Sequence, residues 1–257
     1  MRVTTVSTSV MAFLALSTIA LAQGPGRREF GGPGGGFGRP GFGLGGGPVV
    51  TGQPYSGVGV STSTRTLANG NVITQSTCTK VYRDSSGRTR QEETPNSSTC
   101  SATPTIVVIR DPAAGVEYRI NTASSTYQQF TFKAPPSNAA RPSARRPGLS
   151  NSGELQTTDL GTQPIPGTGL MAQGTQSVRT IPAGQIGNSQ PIVVNSTTWR
   201  SPDLQIVLQR SSDDPRLGKS SYQLSNVSTA VPDPSLFTLP AGLTLQQGRG
   251  FRQRPNQ

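Results

Sequence analysis

The chain contains no histidine, and this absence excludes several catalytic designs at once. Without an imidazole there is no serine–histidine or cysteine–histidine nucleophile, no histidine-bound zinc and no imidazole acid or base. Carboxylates remain, including the adjacent pairs Glu92-Glu93 and Asp213-Asp214. Neighbouring residues on a strand point to opposite faces, so such pairs seldom converge on one substrate atom. The sequence therefore predicts a non-enzymatic protein with no catalytic residue, no cofactor and no metal site.

Cysteine is scarce as well, since Cys78 and Cys100 are the only two. Neither lies in a Cys-x-x-Cys motif, which leaves a redox or metal role poorly supported. In an oxidising compartment an even cysteine count favours a disulfide. We therefore expect a structural disulfide between Cys78 and Cys100, which requires the chain to double back at Pro95-Asn96-Ser97.

Long hydrophobic runs are missing, and no stretch approaches the roughly 20 residues of a bilayer span. At the N-terminus, Arg2 precedes two short apolar stretches, Val10–Leu16 and Ile19–Leu21, and Ala22 has the small side chain that signal peptidase requires. A membrane anchor is the weaker alternative because the apolar run is too short. Residues 1–22 are therefore predicted to be a signal peptide. The mature chain is expected to be exported, periplasmic or extracellular, with no transmembrane segment.

Acidic residues are few: 12 against 23 basic residues, for a net charge of +11. The charge is unevenly spread, because residues 57–132 carry about +2 and residues 154–247 about −1. The excess lies in low-complexity segments, where contacts with anionic envelope polymers such as an acidic polysaccharide are expected from Arg141, Arg145, Arg146, Arg249, Arg252 and Arg254. Export argues against a nucleic-acid partner.

Glycine and proline, with 31 and 22 copies, cluster in segments that cannot bury enough surface to fold. Residues 23–56 read as a disordered Gly-rich leader, and residues 248–257 as a disordered basic tail. Between them, residues 57–247 are predicted to form one β-domain, interrupted by a disordered Pro-rich linker at 134–153.

No window of helical length shows an apolar stripe, and turn residues recur at regular spacing, which is typical of an antiparallel β-meander. The predicted strands are 58–67, 71–83, 88–93, 106–109, 116–120, 126–132, 155–163, 169–181, 192–200, 204–210 and 220–231. Ile106–Ile109 is uninterruptedly apolar and is expected to be covered on both faces. One helical turn is expected at Pro234–Phe237, capped by Asp233.

Two turns carry specific expectations. Asn69-Gly70 is a strong hairpin signal because both residues tolerate a positive φ. A turn over Asp84–Gly87 that pairs Arg83 with Arg88 puts Cys78 opposite Glu93. The segment 213–218 has the composition of a solvated hairpin loop, and Trp199, Tyr222 and Phe237 are expected in the core rather than on a ligand platform.

Several segments resemble a group of uncharacterised exported bacterial β-proteins: Val81–Asp84, Gly87–Arg90, Thr180–Gly184, Trp199–Leu208, Asp214–Arg216 with Gly218, Tyr222–Val227 and Asp233–Gly242. More loosely, the order of a Trp strand, a hairpin, an Asn-Val strand and a closing Asp-Pro-Ser-Leu-Phe resembles the periplasmic lipoprotein-carrier and RseB-like half-barrel superfamily. The resemblance implies a mainly β fold, a single curved antiparallel sheet like a half-barrel, whose concave face receives lipid or acyl chains. The chain departs from that family in lacking the helices that plug the half-barrel.

Three functions are compatible with these observations. The first is a non-enzymatic envelope protein that binds an apolar ligand, such as a lipid, or a partner protein on the curved sheet. The second is a structural or surface-interaction protein that contacts anionic envelope polymers through basic flexible segments, and the third is an enzyme that uses carboxylates. A continuous apolar groove on the concave face would favour the first function. A hydroxyl-lined face would favour the second, and the sequence indicates such a face through Ser61, Ser63, Thr77 and Thr79.

Overall fold

The computed structural model describes residues 49–133 and 154–246, which are 59% strand and 2% helix. The strands are β1 (Tyr55–Thr66), β2 (Val72–Arg83), β3 (Thr89–Pro95), β4 (Ile106–Asp111), β5 (Val116–Asn121), β6 (Thr126–Thr131), β7 (Glu154–Ile165), β8 (Leu170–Ile181), β9 (Ile192–Ser201), β10 (Ile206–Asp214), β11 (Gly218–Ser228) and β12 (Thr244–Leu245). The predicted signal peptide, most of the Gly-rich leader, the Pro-rich linker and the basic tail lie outside the described residues.

In the described part of the chain, the twelve strands form one open, curved sheet. Their order is β12-β6-β5-β4-β3-β2-β1-β11-β10-β9-β8-β7. All neighbours are antiparallel except β12, which pairs in parallel with β6. The predicted mainly β fold, a single curved antiparallel sheet, is confirmed. Two meanders, β1–β6 and β7–β11, are joined where β1 pairs with β11.

The β1–β2 hairpin follows the Asn69-Gly70 signal, with Gly70 at φ +80°. The next hairpin differs from expectation, because Arg83 pairs with Thr89 instead of Arg88. The carboxylate of Asp84 accepts hydrogen bonds from the backbone N and Nε of Arg88, which holds Arg88 inside the loop. The shift of one residue puts Cys78 opposite Thr94 rather than Glu93.

Two buried clusters support the sheet. The larger one comprises Tyr55, Val81, Ile165, Ala172, Leu204, Ile206, Leu208, Tyr222 and Leu224, with Trp199 partly buried against it. The smaller one comprises Val107, Ile109 and Ile120, and Leu239 and Leu243 of the C-terminal segment pack against it. Before these leucines lies a 3-10 turn, Pro234–Phe237, in which the Asp233 side chain accepts a hydrogen bond from Ser235 N, as the sequence predicts.

Three expectations need correction. Ile106–Ile109 is covered on one face only, since Val107 and Ile109 are buried and the alternate residues are half-exposed. The strand predicted at 204–210 begins at Ile206 and continues to Asp214, because β11 offers ladder partners through Gly218. The predicted leader boundary at residue 56 is also too late: β1 begins at Tyr55, a core residue only 2% exposed.

Candidate functional site

The apolar side of the sheet is filled by its own side chains. Gly57 and Gly59 alternate along β1, and a Cβ added at Gly59 would lie 2.6 Å from the Tyr222 ring. At Gly57 the corresponding position is 3.1 Å from Cδ1 of Leu224. The two glycines therefore let Tyr222 and Leu224 lie directly on the β1 backbone.

Tyr55 closes the same region at the beginning of β1. Its ring lies 4.7 Å from the guanidinium carbon of Arg83, and burial raises the pKa of its phenol to about 12. Burial also raises the pKa of Tyr222 far above its ordinary value. Both phenols therefore stay neutral at physiological pH, and neither supplies a phenolate there.

A groove of about 300 Å³ crosses strands β1, β11, β10 and β9. Hydroxyl, amide and charged side chains line it: Thr62, Thr64, Asn195, Ser196, Thr197, Ser211, Ser212, Asp213, Lys219, Ser220 and Ser221. Cavities that bind small ligands have volumes of roughly 300–1,000 Å³. All of these residues have polar side chains, but carbon atoms provide most of the exposed lining surface; we call this feature the hydroxyl groove.

Strand register aligns the groove hydroxyls in a row. Thr62 pairs with Ser221, Ser221 with Ser211, and Ser211 with Thr197. Ser76 extends the row onto β2, where its hydroxyl and that of Thr62 form a hydrogen bond of 3.1 Å. Directly opposite residues share one face of a sheet, so these hydroxyls form a continuous ladder across five strands.

A second row runs parallel to the first, one pleat further along each strand. It contains Thr64, Lys219, Asp213 and Asn195, each opposite the next. Lys219 Nζ lies 3.3 Å from Asp213 Oδ2, and the two side chains are 76% and 52% exposed. An ion pair this open contributes little to stability, so both charges are available to a ligand.

The intervening register position carries serines across five strands, and their side chains point to the opposite face of the sheet from the Thr62 row: Ser63, Ser220, Ser212, Ser196 and Ser177. Ser196 Oγ donates a 3.0 Å hydrogen bond to Ser212 Oγ. Because the chain has no histidine, no imidazole can activate one of these hydroxyls as a nucleophile. Among residues 49–133 and 154–246, no group of three side chains is arranged to hold a metal ion. The arrangement offers hydrogen bonds and suits binding.

The groove residues differ from those that the sequence indicated. Ser61, Ser63, Thr77 and Thr79 occupy the alternate register positions, facing away from the Thr62 row, and Thr79 is 3% exposed. A signal was nevertheless present, because adjacent hydroxyl residues recur on the four strands: Ser61–Thr64, Ser196–Thr198, Ser211-Ser212 and Ser220-Ser221. The faces of these runs depend on register, which sequence alone does not supply.

The doublet Asp213-Asp214 is split between two environments. Asp213 lies in the groove, whereas Asp214 is 3% exposed and accepts a bidentate pair of hydrogen bonds from Arg216. Those bonds lower the pKa of Asp214 against the opposing effect of burial. The expectation of a wholly solvated loop is therefore wrong for Asp214, which belongs to β10.

Among the predicted site residues, the cysteines are placed together. The Cys78 and Cys100 sulfurs are 2.08 Å apart, and Cys78 is fully buried. Bonding in the exported protein stays a prediction. The six arginines assigned to anionic polymers, Arg141, Arg145, Arg146, Arg249, Arg252 and Arg254, lie outside the described residues.

Solved structures with a similar fold come from bacterial proteins. The MucA/MucB complex of Pseudomonas aeruginosa matches with a TM-score of 0.40 and 12% identity over 76% of this chain and 59% of that chain. A LolA-superfamily protein of Nitrosomonas europaea matches with a TM-score of 0.32 and 8% identity over 74% of this chain and 92% of that chain. A putative outer membrane lipoprotein-sorting protein domain of Vibrio parahaemolyticus matches with a TM-score of 0.28 and 7% identity over 71% of this chain and 88% of that chain.

These are proteins of the lipoprotein-carrier and RseB-like kind that the sequence resembles, and the likeness concerns the fold alone. The chain spans less than two thirds of the MucB chains that it matches. No protein-family model and no curated protein matches the sequence. In the described ranges no helix has the length and apolarity that crossing a membrane requires.

Proposed function

We propose that the protein is an exported, non-enzymatic binding protein of the cell envelope whose hydroxyl groove binds a hydroxyl-rich polymer, such as an envelope polysaccharide. The observation that carries the proposal is the ladder of Thr62, Ser221, Ser211 and Thr197, held in register across four neighbouring strands. Each hydroxyl can both donate and accept a hydrogen bond, which matches the mixed donors and acceptors of a sugar.

The second groove row supports the same class of ligand. Asn195 offers an amide with both donors and an acceptor, and the exposed Asp213 and Lys219 can exchange their mutual contact for contacts with a ligand. Because a sheet spaces neighbouring strands about 4.8 Å apart, the four-strand ladder spans roughly 15 Å. That length accommodates more than one sugar unit of a polymer.

A polar ligand has better support than the lipid or acyl chain implied by the family resemblance. An acyl chain on the sheet would have to displace Tyr222 and Leu224 from the glycine backbone of β1, where they are 6% and 1% exposed. Exposing these side chains would cost roughly 1.5–3 kcal/mol for each. The hydroxyl groove requires no such rearrangement.

The basic segments add a second contact in this proposal. Residues 57–132 and 154–247 are nearly neutral, so attraction to an acidic polymer would come from the arginines at 141, 145, 146, 249, 252 and 254. The groove would provide hydrogen-bonding specificity, and the arginines long-range attraction.

The test replaces Thr62 and Thr197 together with valine, which keeps the β-branched shape and removes only the hydroxyls. The matched control replaces Thr157 and Thr175, which lie outside the groove on β7 and β8. Binding of a neutral glucan and an acidic polyuronate is measured by calorimetry with the exported chain. We expect Thr62→Val/Thr197→Val to raise the dissociation constant about 10- to 100-fold, because two hydrogen bonds are lost, and we expect the control to bind like the parent. Equal affinities, or no binding of either polymer, would overturn the proposal.

A further inference from the structure

Exposed apolar side chains collect along one end of the sheet. Val72 and Ile73 at the start of β2 are 54% and 42% exposed, Leu217 in the β10–β11 turn is 47% exposed, and Ile186 in the β8–β9 loop is 54% exposed. Val193 and Leu155, at 41% and 54%, complete this set, which we call the apolar rim.

Strand register shows that these side chains share one end. Ile73 lies opposite Arg65, and the neighbouring Thr64 lies opposite Lys219, the second residue of β11. On the other side of that turn Asp213 pairs with Asn195, from which β9 runs back to Val193. Arg179 then pairs with both Val194 and Leu155. The apolar rim therefore follows the ends of seven neighbouring strands, over roughly 30 Å.

The backbone of the three tips is already hydrogen-bonded internally. In the β8–β9 loop the Asn188 side chain donates to the carbonyl oxygens of Pro182 and Gln190 and accepts from Ile186 N. In the β10–β11 turn, Leu217 N donates to Asp214 O.

The β1–β2 turn is closed in the same way, with Gly70 N donating to Leu67 O and Leu67 N to Asn71 O. These bonds reduce the number of unpaired backbone groups that the tips would carry into an apolar phase.

The charges behind the rim favour an anionic partner. Asp214 and Asp213 are paired with Arg216 and Lys219, at 2.7 and 3.3 Å. In the described residues no carboxylate pairs with Arg65 or Arg179, which lie on β1 and β8 directly behind the apolar side chains.

We propose that the apolar rim docks on an anionic lipid surface, with Val72, Ile73, Leu217 and Ile186 entering the headgroup region and Arg65 and Arg179 contacting lipid phosphates. A lipid surface accepts apolar side chains that are spaced along a line on separate tips. A protein partner would need one continuous complementary patch, which the three separated tips do not form. This docking is independent of the hydroxyl groove and would bring the groove close to a membrane.

Sedimentation with vesicles tests the inference, using the exported chain. The neutral vesicles contain phosphatidylcholine alone, and the anionic vesicles contain phosphatidylcholine with one third phosphatidylglycerol. The rim variant is Ile73→Ser/Ile186→Ser/Leu217→Ser. Its matched control is Met171→Ser/Val231→Ser/Leu245→Ser, which removes side chains of similar exposure elsewhere. We expect the parent and control to sediment with anionic vesicles, and the rim variant to bind at least about tenfold less.

Two further arms separate the alternatives. The Thr62→Val/Thr197→Val protein should bind vesicles like the parent, so that failure of the polysaccharide proposal leaves this one intact. Binding through the rim should persist in part at 0.5 M salt, because apolar insertion is not screened. Membrane docking would be overturned if the rim variant bound vesicles as well as the parent, or if the parent did not bind them. It would also be overturned if light scattering showed that the parent and the control are dimers and the rim variant is a monomer. That result would assign the rim to a second copy of the chain.

Discussion

Arg83 Nη2 donates a 2.7 Å hydrogen bond to the carbonyl oxygen of Leu204, linking positions 121 residues apart in the chain. The same guanidinium donates through Nε to Gln53 O at 2.9 Å and stacks on Tyr55. Arg83 ends β2 and Leu204 precedes β10, so the bond ties one meander to the other on the side of the larger core cluster. Burial lowers the pKa of Arg83, but a guanidinium stays protonated in proteins, so the group keeps its charge.

Truncating Arg83 should therefore destabilise the fold strongly. Arg83→Ala leaves the buried Leu204 carbonyl without its donor and removes the bond to Gln53 O, and we expect the free energy of unfolding to fall by about 2–4 kcal/mol. Arg119→Ala is the matched control, because the Arg119 side chain is 49% exposed and should cost no more than about 1 kcal/mol. Urea denaturation measures both, and similar midpoints for the two variants would contradict this role for Arg83.

The sequence predicts the strands well because turn chemistry is local. Gly70 supplies the positive φ (+80°) that the β1–β2 turn requires, whereas Asn69 does not adopt one. Asp233 and Pro234 are the cap and the first position of a helical turn. The predicted register of the hairpin after Arg83 is wrong by one residue. The Asp84 carboxylate accepts a hydrogen bond from the backbone N of Arg88, and residue propensities do not include such a side-chain contact.

The candidate site was less accessible from the sequence than the fold. The groove exists because β1 pairs with β11, which brings Thr62 beside Ser221 although 159 residues of chain separate them. A shift of one residue in that pairing would put the opposite face of β11 beside Thr62. Long-range register of this kind depends on the packing of Tyr222 and Leu224 over Gly59 and Gly57.

Cys78 and Cys100 are predicted to be bonded in the exported protein. Thiol counting under denaturing, non-reducing conditions should find no free thiol. Reduction should lower the free energy of unfolding by about 3 kcal/mol, as expected for closing a loop with a sequence separation of 22. Two alkylatable thiols in protein taken from the envelope would refute the prediction, and thiols that appear only after reductant would support it.

Gly174 is predicted to be intolerant of any side chain. A Cβ there would lie 2.4 Å from Cζ3 of Trp199, the only tryptophan in the chain. Gly174→Ala should displace the ring, destabilise the protein by about 1–3 kcal/mol and shift the fluorescence emission. Gly57→Ala is the comparison, since its closest contact is the terminal Cδ1 of Leu224, at 3.1 Å, with Leu224 Cγ and Ser225 O both at 3.4 Å, and it should cost less. An unchanged emission spectrum in Gly174→Ala would speak against this packing.

Asp214 should give the protein an acid-dependent contribution to stability. Hydrogen bonds from Arg216 lower the folded-state pKa of Asp214 despite its burial. A lowered pKa means that the stabilisation is complete above the unfolded pKa of about 3.9 and is lost as the pH falls through the folded value. Asp214→Asn should therefore cost about 1–2 kcal/mol at pH 7, discounted for the exposure of Arg216, and the difference from the parent should shrink below about pH 4. Asp213→Asn is the control: the ion pair of Asp213 is open to solvent, so this substitution should lower the free energy of unfolding by under about 1 kcal/mol at pH 7. The linkage would be contradicted if the difference in stability between the parent and Asp214→Asn stayed constant from pH 7 to pH 2.

Attraction to acidic envelope polymers is predicted to come from the low-complexity segments rather than from the sheet, because residues 57–132 and 154–247 together carry only about +1. Removing residues 248–257 and replacing Arg141, Arg145 and Arg146 with serine should reduce sedimentation with lipopolysaccharide at low salt. Exposed charges are screened over roughly 10 Å at 0.1 M salt, so the parent should lose the same contribution as salt rises. A variant that sediments like the parent at low salt would transfer the contact to the sheet. Combining these changes with Thr62→Val/Thr197→Val would then show whether the hydroxyl groove holds the polymer by itself, because that double substitution removes two groove hydroxyls and leaves the net charge unchanged.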